Sequence, residues 1–171
     1  MGNVTPEPDA DMIPKIVSLP ATTLVGMRIR MFLSQDGTRE LWQKFMPMRN
    51  VIRNRTDVNR YYSMKRYPAG LELRDFTRDT EFEKWAAVAV NHAENIPEGM
   101  AQYELPGGRY AVFIHKGPAS GFSKTLQYIF ETWLPGSGYQ LDQREHFELL
   151  EESYQANDPD AMEEAWIPVR Q

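Results

Sequence analysis

Apolar residues recur along the chain at two alternating spacings. From Ile13 to Met31 the pattern is strand-like, with apolar positions at Ile16, Val17, Leu24, Val25, Met27 and Ile29. Leu19-Pro20-Ala21 interrupts that run as a bend or bulge. The interval then becomes helical over Leu41, Trp42, Phe45 and Met48, with Ser34 or Thr38 as the expected cap and Pro47 near the end. Tyr61 to Tyr67, Gly70 to Phe76 and Phe82 to Val90 read as strands, and Met100 to Lys116 as two strand pieces around Leu105-Pro106-Gly107-Gly108. Phe122, Leu126, Ile129, Phe130 and Trp133 predict a helix over Ser120 to Leu134, stopped by Pro135-Gly136. Glu145 to Tyr154 and Met162 to Val169 read as the last two strands.

The pattern occurs twice. Leu19-Pro20 precedes one strand and Leu105-Pro106 precedes another. Leu41 and Phe45 correspond to Leu126 and Phe130 on the two helices, Tyr62 to Met64 corresponds to Phe147 to Leu149, and Val88-Ala89-Val90 corresponds to Ile167-Pro168-Val169. This register decides that the Ala-rich run Phe82 to Val90 is a strand. The expected fold is α+β: two pseudo-symmetric βαββ halves, about 13–90 and 100–170, with a helix each and antiparallel sheets. Neither half can bury a sheet face alone, so a central cleft is expected at the seam. Residues 1–12, polar and carrying Pro6 and Pro8, are expected to form a flexible tail ahead of one domain spanning 13–170.

Composition removes several function classes. The 171 residues include no cysteine, which excludes disulfides, thiol catalysis and Cys-based zinc sites. The histidines His92, His115 and His146 show no paired ligand spacing, so no metal and no cofactor are expected. A net charge of -5 disfavours direct binding to nucleic acid. The arginines Arg49, Arg53, Arg55 and Arg60 read as a solvated face. With no basic leader before an apolar segment, and no apolar run near the ~20 residues that span a bilayer, a cytoplasmic protein without a membrane partner is expected. Aromatic residues make up 12% of the chain and Met occurs nine times, a composition that suits a ring-lined pocket for flat or cationic molecules.

Four segments then bear on family. Leu105-Pro106-Gly107-Gly108-Arg109-Tyr110-Ala111-Val112-Phe113-Ile114-His115-Lys116-Gly117 resembles the "P-A-G-x-Y-A-V-F-x-H-x-G" strand of the GyrI-like small-molecule-binding family, the effector-binding domain of AraC- and MerR-type regulators. Trp133-Leu134-Pro135-Gly136-Ser137-Gly138-Tyr139 is similar to its "W-L-P-x-S-G-Y" helix end. Phe147-Glu148 is similar to its "F-E-x-Y" strand, and Glu164-Ala165-Trp166-Ile167-Pro168-Val169 to its final "E-I-x-I-P-V" strand. The resemblance implies a duplicated βαββ fold around a cleft that holds hydrophobic, often cationic molecules. With little chain ahead of Ile13, a stand-alone, multidrug-type binding module is expected rather than a transcription factor.

The resemblance places Glu148 at the family's ligand-facing glutamate. Strand alternation independently sets Glu148 and Leu150 on one face and Phe147 and Leu149 on the other. A carboxylate among apolar walls either takes up a proton or accepts a cation. The family's tyrosine two positions later is Leu150 here, which removes a hydroxyl partner and weakens any enzymatic reading. Trp85 matches an aromatic position of the family and alternates with Ala87 and Ala89; Tyr110, Phe113, Trp133 and Trp166 are further candidate walls. Glu164 reads as a solvated edge charge. Nothing in the sequence marks an enzyme, and no catalytic residue is assigned. Two other readings stand beside ligand binding. One is a hydrolase of strained-ring, cyclopropane-containing compounds using Glu148 as general base with Tyr110 assisting. The other is a gyrase-inhibitor-like protein that acts on a protein partner, with a homodimer as the further expected assembly.

Overall fold

A computed structural model describes residues 12–171. The expected tail therefore lies, except for Met12, outside the described residues. The chain forms β1 (Lys15–Leu19), β2 (Thr22–Met31), α1 (Thr38–Phe45), β3 (Arg60–Arg66), β4 (Phe82–Val90), β5 (Ala101–Leu105), β6 (Gly108–Lys116), α2 (Phe122–Tyr128), β7 (Gln140–Leu141), β8 (His146–Glu151) and β9 (Met162–Arg170). The strands join in one antiparallel sheet of order β1-β6-β9-β8-β3-β4-β2-β5, with β7 beside β9. The order reads the same from both ends when β2-α1-β3-β4 is exchanged for β6-α2-β8-β9. It is consistent with two βαββ units meeting along β3 and β8.

Alternation sorts the sheet into two faces. Residues directly opposite in an antiparallel pair share a face, so Tyr62 faces with Leu149, and Met64 with Phe147. These join Trp85, Tyr110 and Trp166 in an apolar layer on one side. The other face carries both helices. Leu41 and Phe45 of α1 pack on Val25, Tyr61, Ala86 and Val88. Ile129, just beyond α2, packs on Ala111, Phe113, Ala165 and Ile167. Burying such a side chain stabilises by roughly 1.5–3 kcal/mol, and these contacts hold each helix on its own half of the sheet. Between the helices the floor is β3 and β8.

Three local expectations change. Gly70 to Phe76 is not a strand: it is a connection holding a single turn at Leu73–Asp75, with Gly70 at φ 78°. Both long edges of β4 are already paired, to β2 and β3, so no ladder is open to it. The cap of α1 is neither Ser34 nor Thr38. Gly37 precedes the helix, Thr38 is its first residue, and Ser34 donates to Asp79 instead. The second helix starts at Phe122 and widens into a π-turn over Ile129–Trp133 before a last turn at Leu134–Gly136. Such wide turns concentrate at functional sites.

Candidate functional site

The register of the central strands builds the floor of a cavity of about 1040 Å³ on the helix-bearing face. Glu148 lies opposite Ser63 on β3 and Ala165 on β9. Both neighbours are small, so no cross-strand side chain lies over the carboxylate. One step along β3, Lys65 lies opposite His146 on β8 and Lys84 on β4. Apolar side chains rise around this polar floor: Phe122, Leu126 and Phe130 along one stripe of the second helix, Tyr67 and Phe76 from the connection between β3 and β4, and Phe82 from the start of β4. Tyr67 meets Phe76 edge-on at 5.4 Å and Phe82 at 5.5 Å, so these rings form one wall.

Glu148 is only 6% exposed. Its Oε1 accepts an ion pair from Lys65 Nζ at 2.9 Å, while its buried Oε2 has no hydrogen-bond partner. Burial pushes this carboxyl upward, but Lys65 and then Lys84 outweigh burial and hold it below the ordinary glutamate range. Lys65 is raised: burial would lower it, and Glu148 reverses the sign. Lys84 has no such close partner, and burial pulls it down to about 8 against the attraction of Glu148. His146 is lowered to about 3 by burial and then by Lys65. It is therefore a neutral ring in the cavity wall, 5.2 Å from Tyr67. Burial and the neighbouring Glu148 push Glu163 up to about 7.

The residues singled out in the sequence separate into three places. Glu148 lines the cavity, whereas Trp166, opposite Phe147 on the β8–β9 ladder, turns its ring into the apolar layer on the other face. Trp166 stacks on Phe147 at 5.1 Å, and its buried indole Nε1 has no hydrogen-bond partner. Trp85 and Tyr110 are fully buried in the apolar layer on the other face. Tyr110 donates its hydroxyl to the Glu145 carbonyl at 2.9 Å, and the Arg144 guanidinium lies 4.6 Å from its ring centroid. Phe113 and Trp133 meet edge-on at 5.1 Å where the second helix packs on β6, away from the cavity lining. His115 bridges β6 to α2, with Nδ1 2.7 Å from Thr125 Oγ1 and Nε2 3.1 Å from the Pro118 carbonyl. Among the described residues no group of three or more acidic or histidine side chains is placed to hold a metal. None of the helices described is long and apolar enough to cross a membrane.

Sequence reasoning missed Lys65 and His146 in the cavity lining, the buried Lys84 beside them, and the rings of Tyr67, Phe76, Phe82, Phe122 and Phe130. A signal for the lysines exists. Lys65 shares its strand face with Tyr61 and Ser63, and Lys84 with Phe82, Ala86 and Val88, so each puts a charge where the pattern requires burial. A signal for the helix rings exists too. Ile129 and Trp133 form one stripe; Phe122, Leu126 and Phe130 form a second, wider than packing on one sheet needs.

Comparison with known proteins agrees with this architecture. The transcriptional regulator BrlR of Pseudomonas aeruginosa is 28% identical over 161 residues, covering 93% of this chain and 56% of that protein. The chain thus spans about half the length of that curated relative. The structure of SAV2435 bound to tetraphenylphosphonium superposes with a TM-score of 0.71 at 16% identity, covering 93% of this chain and 94% of that one. The EcmrR C-terminal domain gives a TM-score of 0.66 at 15% identity, covering 94% and 99%. The family model for the GyrI-like small molecule binding domain matches residues 12–170, and with that match spanning nearly its whole length the chain belongs to the GyrI-like family.

Proposed function

We propose that this chain binds hydrophobic organic cations in the cavity between its second helix and the β3–β4 connection, with Glu148 as charge partner and the surrounding rings as contact surface. The observation that carries the reading is the buried, unpartnered Oε2 of Glu148 on the floor of an aromatic-walled cavity of about 1040 Å³. A buried acceptor without a partner costs about 1–3 kcal/mol, more when charged, and a cationic ligand relieves that cost. Ring faces add about 0.5–2 kcal/mol each to the attraction of a desolvated cation. The fold likeness to SAV2435, whose structure holds tetraphenylphosphonium, supports the same ligand class. In this reading the seam between the two βαββ units is the ligand cleft. Trp85, Tyr110 and Trp166 back the cleft floor from the apolar layer on the opposite face, and Phe113 and Trp133 hold the second helix in place.

The test is titration of tetraphenylphosphonium followed by tryptophan fluorescence and calorimetry. Saturable binding is expected. Glu148→Gln is expected to weaken it about tenfold or more, with little change for a neutral compound of similar size. Equal affinity of both proteins for the cation removes Glu148 from the role.

A further inference from the structure

The cavity floor already carries a cation of its own. Lys65 Nζ lies 2.9 Å from Glu148 Oε1 and 5.6 Å from the centroid of the Phe122 ring. An ammonium on the carboxylate beside an aromatic face is the arrangement that a bound organic cation would adopt. Lys65 also lines the cavity directly, with its side chain 17% exposed. We propose that Lys65 is the residue that sets charge and size selectivity. It is a resident counter-ion that a ligand cation must displace from Glu148. This inference rests on the ligand-cavity reading above and adds which cations can enter.

The argument follows from what an incoming cation meets. With Lys65 in place the Glu148 charge is already matched, and buried Lys84 lies across the β3–β4 ladder from Lys65. A cation that arrives without displacing Lys65 faces two positive charges and one negative charge. A compact ammonium gains nothing by exchange, since it replaces one ammonium with another and touches few rings. A bulky cation with delocalised charge differs. It gives up the same ion pair but covers Phe122, Phe130, Phe76 and Tyr67 while it sits on the carboxylate. The four-carbon stem lets the Lys65 ammonium leave without any movement of β3. The site therefore admits large apolar cations and rejects simple amines, and the lysine contributes to that rejection as much as the cavity shape does.

The experiment uses two probes of nearly the same shape and opposite charge, tetraphenylphosphonium and tetraphenylborate, on the full chain. Lys65→Met keeps the stem and removes the charge. It should tighten tetraphenylphosphonium binding about tenfold or more and weaken tetraphenylborate, while Lys65→Arg should stay within about threefold of the parent for both. Unchanged or weaker cation binding by Lys65→Met overturns the proposal. A cation affinity unchanged while tetraphenylborate weakens would make Lys65 a contact for acidic ligands instead. If neither the parent nor Lys65→Met binds either ion, the cavity is not a ligand site and both readings fall together. Binding of the cation by the parent, abolished in Glu148→Gln but indifferent to Lys65→Met, leaves the first reading standing and removes this one.

Lys65→Met leaves a buried carboxylate unpaired and can cost enough stability to unfold the chain. A measurement on the unsubstituted protein covers that case. The paired, shielded ammonium of Lys65 should give a slowly exchanging nitrogen-15 resonance, assigned by its loss in Lys65→Arg. Saturating tetraphenylphosphonium should shift or broaden it as the pair breaks. A resonance that stays unchanged at saturation shows that the pair survives binding, and overturns the proposal.

Discussion

At the scale of single residues, the molecule buries more charge than its ligand reading needs. Glu163 is 8% exposed, and its raised pKa has a consequence for stability. Its folded value is pushed up to about 7, first by burial and then by Glu148, against 4.5 for an ordinary glutamate. Between those values the folded chain holds a proton that the unfolded chain has released, so stability falls as pH rises from about 4.5 to 7. Above that window the charged carboxylate costs on the order of 2 kcal/mol. Glu163→Gln removes the charge while keeping the shape. Urea melts should therefore find the variant more stable than the parent at pH 8 by on the order of 1–2 kcal/mol, and indistinguishable at pH 4.5. A gain that is the same at both pH values would mean the effect is packing and not charge. Glu163 was not legible beforehand. Alternation separates it from Glu164, but only the pairing of Leu149 with Glu164 tells which of the two faces inward towards Glu148. The same limit hid Lys65. Its partner on β8 lies far away in sequence, and cross-strand register is a property of the assembled sheet.

At the scale of elements, the strands and helices were readable because each has one dominant period, and the exceptions have local causes. The misread run Gly70 to Phe76 carries strand-like residues but has no open ladder to join, and its ring at Phe76 turns into the cavity wall. Strand β2 shows the opposite case, where one glycine decides whether a ladder closes. A Cβ on Gly26 would lie 2.1 Å from the Ala86 carbonyl oxygen and 2.6 Å from the Ala87 Cα on β4. Both are backbone atoms and cannot rotate away. Gly26→Ala should destabilise the fold by about 3 kcal/mol or more, seen as a lower urea midpoint. Gly136→Ala, in the last turn of the second helix with no atom near its added methyl, should be neutral or slightly stabilising. Equal midpoints for the two variants would show that β2 can shift to relieve the contact. On the second helix, the side-by-side stripes around the π-turn make a different division. Ile129 anchors the helix on the sheet, whereas Phe130 faces the cavity.

At the scale of the whole molecule, the repeat in the sequence and the strand order do not describe the same pair of units. By sequence, β1 precedes the first βαββ run and β5 precedes the second. In the sheet, β1 pairs with β6 and β5 pairs with β2. Each run is thus edged by the strand that belongs, in chain order, to the other. Their link is tight as well: Gly107 sits so close to the Leu19 carbonyl and to Ala21 that a Cβ there would be 2.5 Å from the carbonyl oxygen. The exchange was not legible from spacing, since a strand's edge partner depends on which edges remain open after the central ladders form. It also bears on autonomy. A fragment of residues 12–95 keeps β1 without β6, leaves the β2 edge bare, and exposes Tyr61, Tyr62 and Met64 along the lost β3–β8 ladder. The complementary fragment 96–171 exposes Phe147 and Leu149 and leaves β5 with no strand to pair. Each would present a long hydrophobic sheet edge to water, which favours either disorder or aggregation over a stable half. Circular dichroism of the separated fragments should therefore show little native sheet and no cooperative melt. Mixing them should restore both, along with tetraphenylphosphonium binding, because the cavity floor needs Lys65 from one fragment and Glu148 from the other. A cooperative melt from either fragment alone would show that the exchanged edge strands are dispensable and that each βαββ run is a folding unit in its own right.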